Sequence, residues 1–222
     1  YYDANDGYPA YLLQNDGSGV FTDITEQAGL GQKRFRRSYG ASFVDLNEDG
    51  KFDLLVSSDF AGIDIYEGNG HGMFKEVTNG WIDQRHTFGM SHVFADFNTD
   101  GKLDFFSVGM SSTTGRRLEL MGLGRDEHKH IDAMRSSMSY GNRLYLATGS
   151  GFEQPSFNNQ VSRTGWSWGC TAFDIDNDAD TDIYVANGHQ SGKSAQDYCT
   201  TFWCHDIYTD DSQTSSSVEQ LF

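Results

Sequence analysis

Five aspartates at alternate positions, Asp174, Asp176, Asp178, Asp180 and Asp182, occupy nine residues with apolar side chains on either flank. Carboxylates packed this densely repel one another, so the stretch is not a core strand. Two earlier stretches repeat the spacing: Asp45, Asn47, Asp49, Lys51 and Asp53, then Asp96, Asn98, Asp100, Lys102 and Asp104. Oxygen-bearing side chains fall at positions 1, 3, 5 and 9, with Gly50 and Gly101 at position 6 and Ala179 in the third copy. Calcium takes roughly six to eight oxygens at about 2.3–2.6 Å. Each nonapeptide therefore reads as a calcium loop in which position 7 (Lys51, Lys102, Asp180) lends a backbone carbonyl. About three Ca2+ ions are expected, taking the formal charge from −16 to −10 at +2 each.

Two rivals to this reading are disfavoured. An EF-hand needs a bidentate Glu at position 12 and a helix on each side; position 12 here is Val56, Ser107 or Val185, and the flanks are rich in strand formers. Acid–base catalysis of the glycosidase kind uses one carboxylate pair straddling a substrate, and three near-identical clusters along a repeat fit structure better. Ala179 replaces the glycine that a left-handed backbone favours, at a cost of about 1–2 kcal/mol.

The loops sit inside a repeat with strand periodicity. In residues 39–78, Ser42–Val44 leads into the first loop and Leu54–Val56 leads out. Ile63–Tyr66, a glycine-rich turn and Met73–Thr78 follow. These are four short strands, A to D, separated by turn signals. Residues 8–25 supply a C–D pair. A third unit has A at 92–95, B at 104–108 and C at Leu144–Leu146, with its turn and Phe152 beyond. A fourth has A at Trp168–Phe173 and B at Ile183–Ala186, with 218–222 resembling the start of a C strand. Serially repeated four-stranded units are the mark of a β-propeller. The fold class expected is all-β, about three to four blades forming a partial ring or arc across residues 1–222. A largely helical or irregular insertion is expected at 111–141, and a long B–C connection at 188–217.

These features resemble the FG-GAP/VCBS repeat family. The resemblance rests on the three Asp loops, the aromatic–Gly pairs Tyr39-Gly40, Phe88-Gly89 and Trp168-Gly169, and the Asn142–Phe152 and Ser167–His189 segments. That family includes integrin α-subunit propellers and secreted cartilage-acidic-protein-like proteins. The resemblance implies calcium in the A–B loops and, usually, a seven-bladed ring, which the rest of a larger propeller or another subunit would complete. It fixes no ligand.

Composition bounds the remainder. Aromatics at 14% and a chain of 222 residues are enough for a core despite the charge. No apolar run approaches the roughly 20 residues of a membrane helix. No signal peptide is visible, and the start at Tyr1-Tyr2-Asp3 reads as a mature or trimmed product. Cys199 and Cys204 are spaced for a local disulfide or stand as two thiols; a disulfide would place the chain in an oxidising compartment. Cys170 and Trp168 are read as core. Trp203 either packs its loop down or offers a sugar-stacking face.

The propeller template puts the A–B loops on one rim and the longer connections on the other. The second rim holds 12 of the 16 Lys and Arg against 11 acids, so it is near neutral with basic clusters at Lys33–Arg37 and at Arg116, Arg117, Arg125, Lys129 and Arg135. These clusters either meet an acidic protein or anionic polysaccharide or are ordinary charges balanced by neighbouring acids. Nucleic acid is disfavoured by the acidic balance. The expected function is an extracellular or periplasmic calcium-binding module for recognition, adhesion or scaffolding. The alternative, an extracellular enzyme of the polysaccharide-lyase kind, would draw on His128, His130, His189, His205 and the arginines of the insertions.

Overall fold

The computed structural model describes residues 3–124, 129–189 and Trp203; the side chains of 129–133 and of His189 lie outside the description. Among the described residues, twelve strands form four antiparallel sheets. Strand β1 (Leu13–Asn15) pairs with β2 (Phe21–Asp23). The second sheet runs β3 (Arg37–Val44), β4 (Asp53–Asp59), β5 (Gly62–Gly68) and β6 (Phe74–Glu76) in sequence order. A short helix α1 (Thr78–Trp81) follows it. The third sheet runs β7 (Ser91–Ala95), β8 (Asp104–Val108), β9 (Arg143–Ala147) and β10 (Phe152–Glu153). The fourth pairs β11 (Trp166–Phe173) with β12 (Asp182–His189). These are the C–D pair, two full blades and A–B pair expected from the repeat. The A strands β3, β7 and β11 lie side by side, so the sheets form a partial propeller and not a closed barrel.

Strand alternation explains how neighbouring blades hold together. Successive residues of a strand point to opposite faces, and a blade with neighbours on both sides must be apolar on both. Strand β8 is buried throughout. Its Phe105 joins Leu55, Ile63 and Ile65 of the second sheet in one cluster, with Tyr145 stacked on it at 4.4 Å. Phe106, the next residue, joins Leu144 and packs towards Cys170, Ile183 and Val185 of the fourth sheet. Cys170 is thus half-buried between blades, and burial pushes its thiol up to about 11.

Hydrogen bonding repeats along with the strands. Thr25 Oγ1 accepts from the Leu12 N–H at 2.8 Å, and Thr78 Oγ1 accepts from Ile65 N–H at 2.9 Å, thirteen residues apart in both cases. In the third sheet Asn158 Oδ1 does the same for Leu144 N–H at 2.7 Å. Gly62 tolerates no side chain: it has φ +81, and a Cβ there would sit 1.8 Å from the Arg85 carbonyl oxygen. That carbonyl accepts from Ile63 N–H at 3.0 Å, tying the second blade to the connection beyond it.

The 111–141 insertion contains helices α2 (Thr113–Leu120) and α3 (Lys129–Met138). Ser112 caps α2 by accepting from Gly115 N–H at 3.0 Å, and Gly122 takes φ +64 just beyond its end. Leu118 and Met138 pack with Phe60, Phe88, Met110 and Trp166. Trp203, from the long connection, is fully buried in the same cluster, its ring 5.6 Å from that of Phe88. The packing reading of Trp203 therefore stands. Trp168 differs from the expectation of a core residue: it is 43% exposed, covers Gly188 and meets the Tyr39 ring edge-to-face at 6.5 Å. Its strand is correctly placed, but Trp168 falls in the register shift between Ser167 and Gly169 and has no cross-strand partner. Cys199, Cys204 and 218–222 lie outside the described residues.

Candidate metal centres

The three aspartate loops connect β3 to β4, β7 to β8 and β11 to β12. Each is folded around its first carboxylate. In the first, Asp45 Oδ1 accepts from Asp49 N–H at 3.1 Å and Oδ2 from Gly50 N–H at 2.9 Å. Asp96 makes the same bonds with Asp100 and Gly101 at 3.1 and 2.8 Å. Asp174 makes them with Asp178 and Ala179 at 3.2 and 3.0 Å, and also accepts from Asn177 N–H at 2.7 Å. These donors hold the Asp174 carboxyl below the ordinary range. Positions 4 and 6 are left-handed in every loop: Glu48 and Gly50, Thr99 and Gly101, Asn177 and Ala179. Ala179 has φ +75, so the third loop adopts the backbone of the other two without its glycine.

Position 3 supports position 5. Asn47 Oδ1 and Asn98 Oδ1 each accept from the N–H of position 5 at 3.1 Å. Position 5 then turns back on position 7: the N–H groups of Lys51, Lys102 and Asp180 donate to Asp49, Asp100 and Asp178 at 2.9, 3.0 and 3.1 Å. The Lys51 ammonium adds a contact to Asp49 at 2.7 Å, which lowers the Asp49 pKa. Lys102 lies 3.8 Å from Asp100. Asp180, facing Asp178 with no such cation, is raised by that neighbour's charge.

Position 9 is where the loops diverge. Asp53 and Asp104 are fully buried. One oxygen of each accepts from the N–H of position 2, Leu46 at 3.0 Å and Phe97 at 2.9 Å. The other accepts from the strand C side, from Gly68 N–H at 2.9 Å and Ala147 N–H at 2.7 Å. Burial raises both pKa values. Asp182 keeps the first bond, from Ile175 N–H at 3.2 Å, and stays half-exposed.

The third loop accordingly brings Asp174, Asp176 and Asp182 together, with a carboxylate oxygen from each lying within 4.8 Å of the others. Asp178 stands outside that group. Three hard, anionic oxygens converging suit a hard divalent cation and no soft one, and the backbone N–H groups of Asn177, Asp178 and Ala179 hold the Asp174 carboxylate in place by donating to it. The first and second loops reproduce the backbone, with Asn47 and Asn98 as neutral oxygen donors at position 3.

The rim opposite these loops is organised by ion pairs. Lys33 lies 2.6 Å from Asp64 and 3.1 Å from Glu76. Arg34 meets Glu26 and Asp23 at 3.2 and 3.3 Å, and Arg37 holds Asp6 at 2.8 Å. Arg36 and Arg85 converge on Asp3 and on the buried Asp64. Internal acids therefore balance the whole Lys33–Arg37 run. Arg135 is also buried, donating to the Leu123 carbonyl at 2.6 Å. His128 and His205 lie outside the described residues, as do the side chains of His130 and His189.

One half-buried histidine was not legible in the sequence. His92 on β7 places Nδ1 2.8 Å from Ser57 Oγ and Nε2 2.9 Å from Ser42 Oγ. Desolvation holds its pKa down at about 4. Its partners are 35 and 50 residues away, and nothing local marks it.

Residues 45–107 match the FG-GAP-like repeat, from the first carboxylate of the first loop into β8. The chain carries an FG-GAP-like repeat. It is similar to cartilage acidic protein 1 of Xenopus tropicalis, with 28% identity over 135 residues covering 56% of this chain and 19% of that protein. It is also similar to cartilage acidic protein 1 of Mus musculus, with 24% identity over 127 residues and the same two shares. The chain spans about a fifth of the length of these curated relatives. Among the described residues, no helix is long and apolar enough to cross a membrane.

Proposed function

We propose that this chain is a calcium-stabilised segment of an extracellular repeat protein, which displays its longer connections as a recognition surface. The observation that carries the calcium reading is the convergence of Asp174, Asp176 and Asp182 in a loop whose backbone hydrogen bonding recurs at Asp45 and Asp96. The ion would be held by the side chains at positions 1, 3, 5 and 9 and the position 7 carbonyl of each loop. Bound there, it supplies positive charge that offsets carboxylate repulsion. Extracellular calcium modules bind at roughly 10⁻⁴–10⁻³ M, a range that matches a calcium-rich exterior and leaves such sites empty in cytosol. The similarity to cartilage acidic protein 1 supports the extracellular assignment.

Calorimetric titration of chelator-treated protein with Ca2+ tests this reading. About three sites and a melting temperature that rises with free Ca2+ are expected, because a ligand bound only to the folded state stabilises it by mass action. A melt that is identical in chelator and in millimolar Ca2+ defeats the proposal.

A further inference from the structure

Among the described basic residues of the loop-rich rim, most meet internal acids, and the exceptions are Arg116, Arg117 and Arg163. Arg116 lies on α2 one turn beyond its cap. Its Nη1 is buried and has no hydrogen-bond partner. The start of α2 is stitched to the 162–165 connection: Ser111 N–H and Ser111 Oγ both donate to the Gly165 carbonyl, at 3.0 and 3.2 Å. That stitching brings Arg163, exposed and two residues before Gly165, into the same field as Arg116. Arg117, also exposed, follows on α2. Among the described residues no carboxylate pairs with Arg116, Arg117 or Arg163. Glu119, the nearest acid in sequence, leans to Arg135 at 3.9 Å.

Two guanidiniums that repel each other, one with a buried donor unmet, are costly in a folded chain. A buried donor without a partner forfeits the hydrogen bond it made to water, a larger loss when the group is charged. The arrangement is the reverse of the Lys33–Arg37 cluster, where every cation has its acid. The formal charge of −16 makes a bare cationic corner stand out further. Burial, followed by the Arg163 charge, lowers the Arg116 pKa, as expected where no anion is present.

We infer that the Arg116–Arg163 corner, flanked by Arg117, binds an oxyanion: a sulfate or carboxylate group of an acidic polysaccharide. Guanidinium forks engage such groups bidentately, with geometric selectivity that an ammonium lacks. Three guanidiniums without acids, Arg117 and Arg163 exposed and Arg116 half-buried, suit a ligand that carries several anions, so a repeating polyanion fits better than a single free ion. This assignment rests on the reading of the loop-rich rim as a recognition surface and gives that surface its chemistry.

The test uses the full chain at saturating Ca2+ and a sulfated glycosaminoglycan hexasaccharide as probe, so that failure of the calcium reading does not masquerade as failure here. Arg116→Gln and Arg163→Gln are each expected to weaken binding about tenfold without lowering the melt, since each relieves the repulsion between the two guanidiniums. Lys75→Gln, on exposed β6 and also one charge down, is expected to change it less than twofold. Arg116→Lys should recover only part of the loss. Equal losses in Arg163→Gln and Lys75→Gln mean diffuse attraction and overturn the site, and Arg163 is exposed enough to report even if Arg116→Gln fails to fold. Undiminished binding of the desulfated hexasaccharide, equal binding of a poly-glutamate peptide, or equal occupancy by inorganic sulfate alone also overturns the assignment.

Discussion

The His92 imidazole on β7 sits 2.8 Å from the hydroxyl of Ser57 on β4, so two blades are joined by a neutral histidine hydrogen bond. Burial disfavours the charged ring, and the native pKa falls to about 4 from the 6.5 of a solvated histidine. The sign follows directly. Between those values the unfolded chain binds a proton that the native state refuses, so stability falls as pH drops from 6.5 towards 4 and levels off below. The slope from this group alone is about 1.4 kcal/mol per pH unit. Thermal melts of wild type and His92→Gln across pH 4–7 should therefore differ in their acid limb, with the variant flatter. Parallel limbs would mean that His92 is protonated in place.

Ala179 and Gly50 share a left-handed backbone at the same loop position. Ala179→Gly is expected to stabilise the protein by about 1 kcal/mol, since the strain of a Cβ at positive φ is relieved. Gly50→Ala should do the reverse by about 1–2 kcal/mol. No atom lies within 4 Å of the added Cβ, so the cost comes from the backbone alone. Denaturant melts of the two variants in chelator give the comparison, and shifts of the same sign would contradict it.

Trp203 has no solvent exposure and touches the Phe88 ring. Trp203→Ala should cost about 3–5 kcal/mol if its cavity cannot collapse. The measurement is an equilibrium melt, paired with limited proteolysis of the 190–222 segment. A change below about 1 kcal/mol would show that the cluster closes without the indole.

Asp176→Asn tests the donor set of the third loop. Replacing one of its three converging carboxylates by a neutral oxygen makes the loop resemble those with Asn47 and Asn98. Ca2+ stoichiometry should be retained with affinity lowered several-fold in that loop, whereas Asp174→Asn should lose one site. Calorimetric stoichiometry separates the two outcomes.

Much of this arrangement is written locally. The strands follow from runs such as Leu54–Val56 and Ile63–Tyr66, and the loops from oxygen side chains at fixed spacing; both depend on neighbours within a dozen residues. The left-handed demand on Ala179 is read from Gly50 and Gly101 by register alone. What the sequence withheld is set by distant partners. Asp64, buried among Lys33, Arg36 and Arg85, converts an apparent basic patch into an ion-pair network. Trp168 is exposed at a break in the β11–β12 register that no local spacing announces. Position 9 is also more than a metal-facing acid: Asp53 and Asp104 lock strand C to the loop through Gly68 and Ala147.

Phe105 and Phe106 are consecutive in β8 yet belong to different apolar clusters. One strand is therefore a shared wall, and displacing it opens two seams at once. The free energy of a blade in this chain is dominated by nearest-neighbour coupling, as in a linear array of interlocked units. A lesion on either face of β8 should be transmitted to both flanking sheets, and the arc should melt as a single cooperative block spanning the second to the fourth sheet.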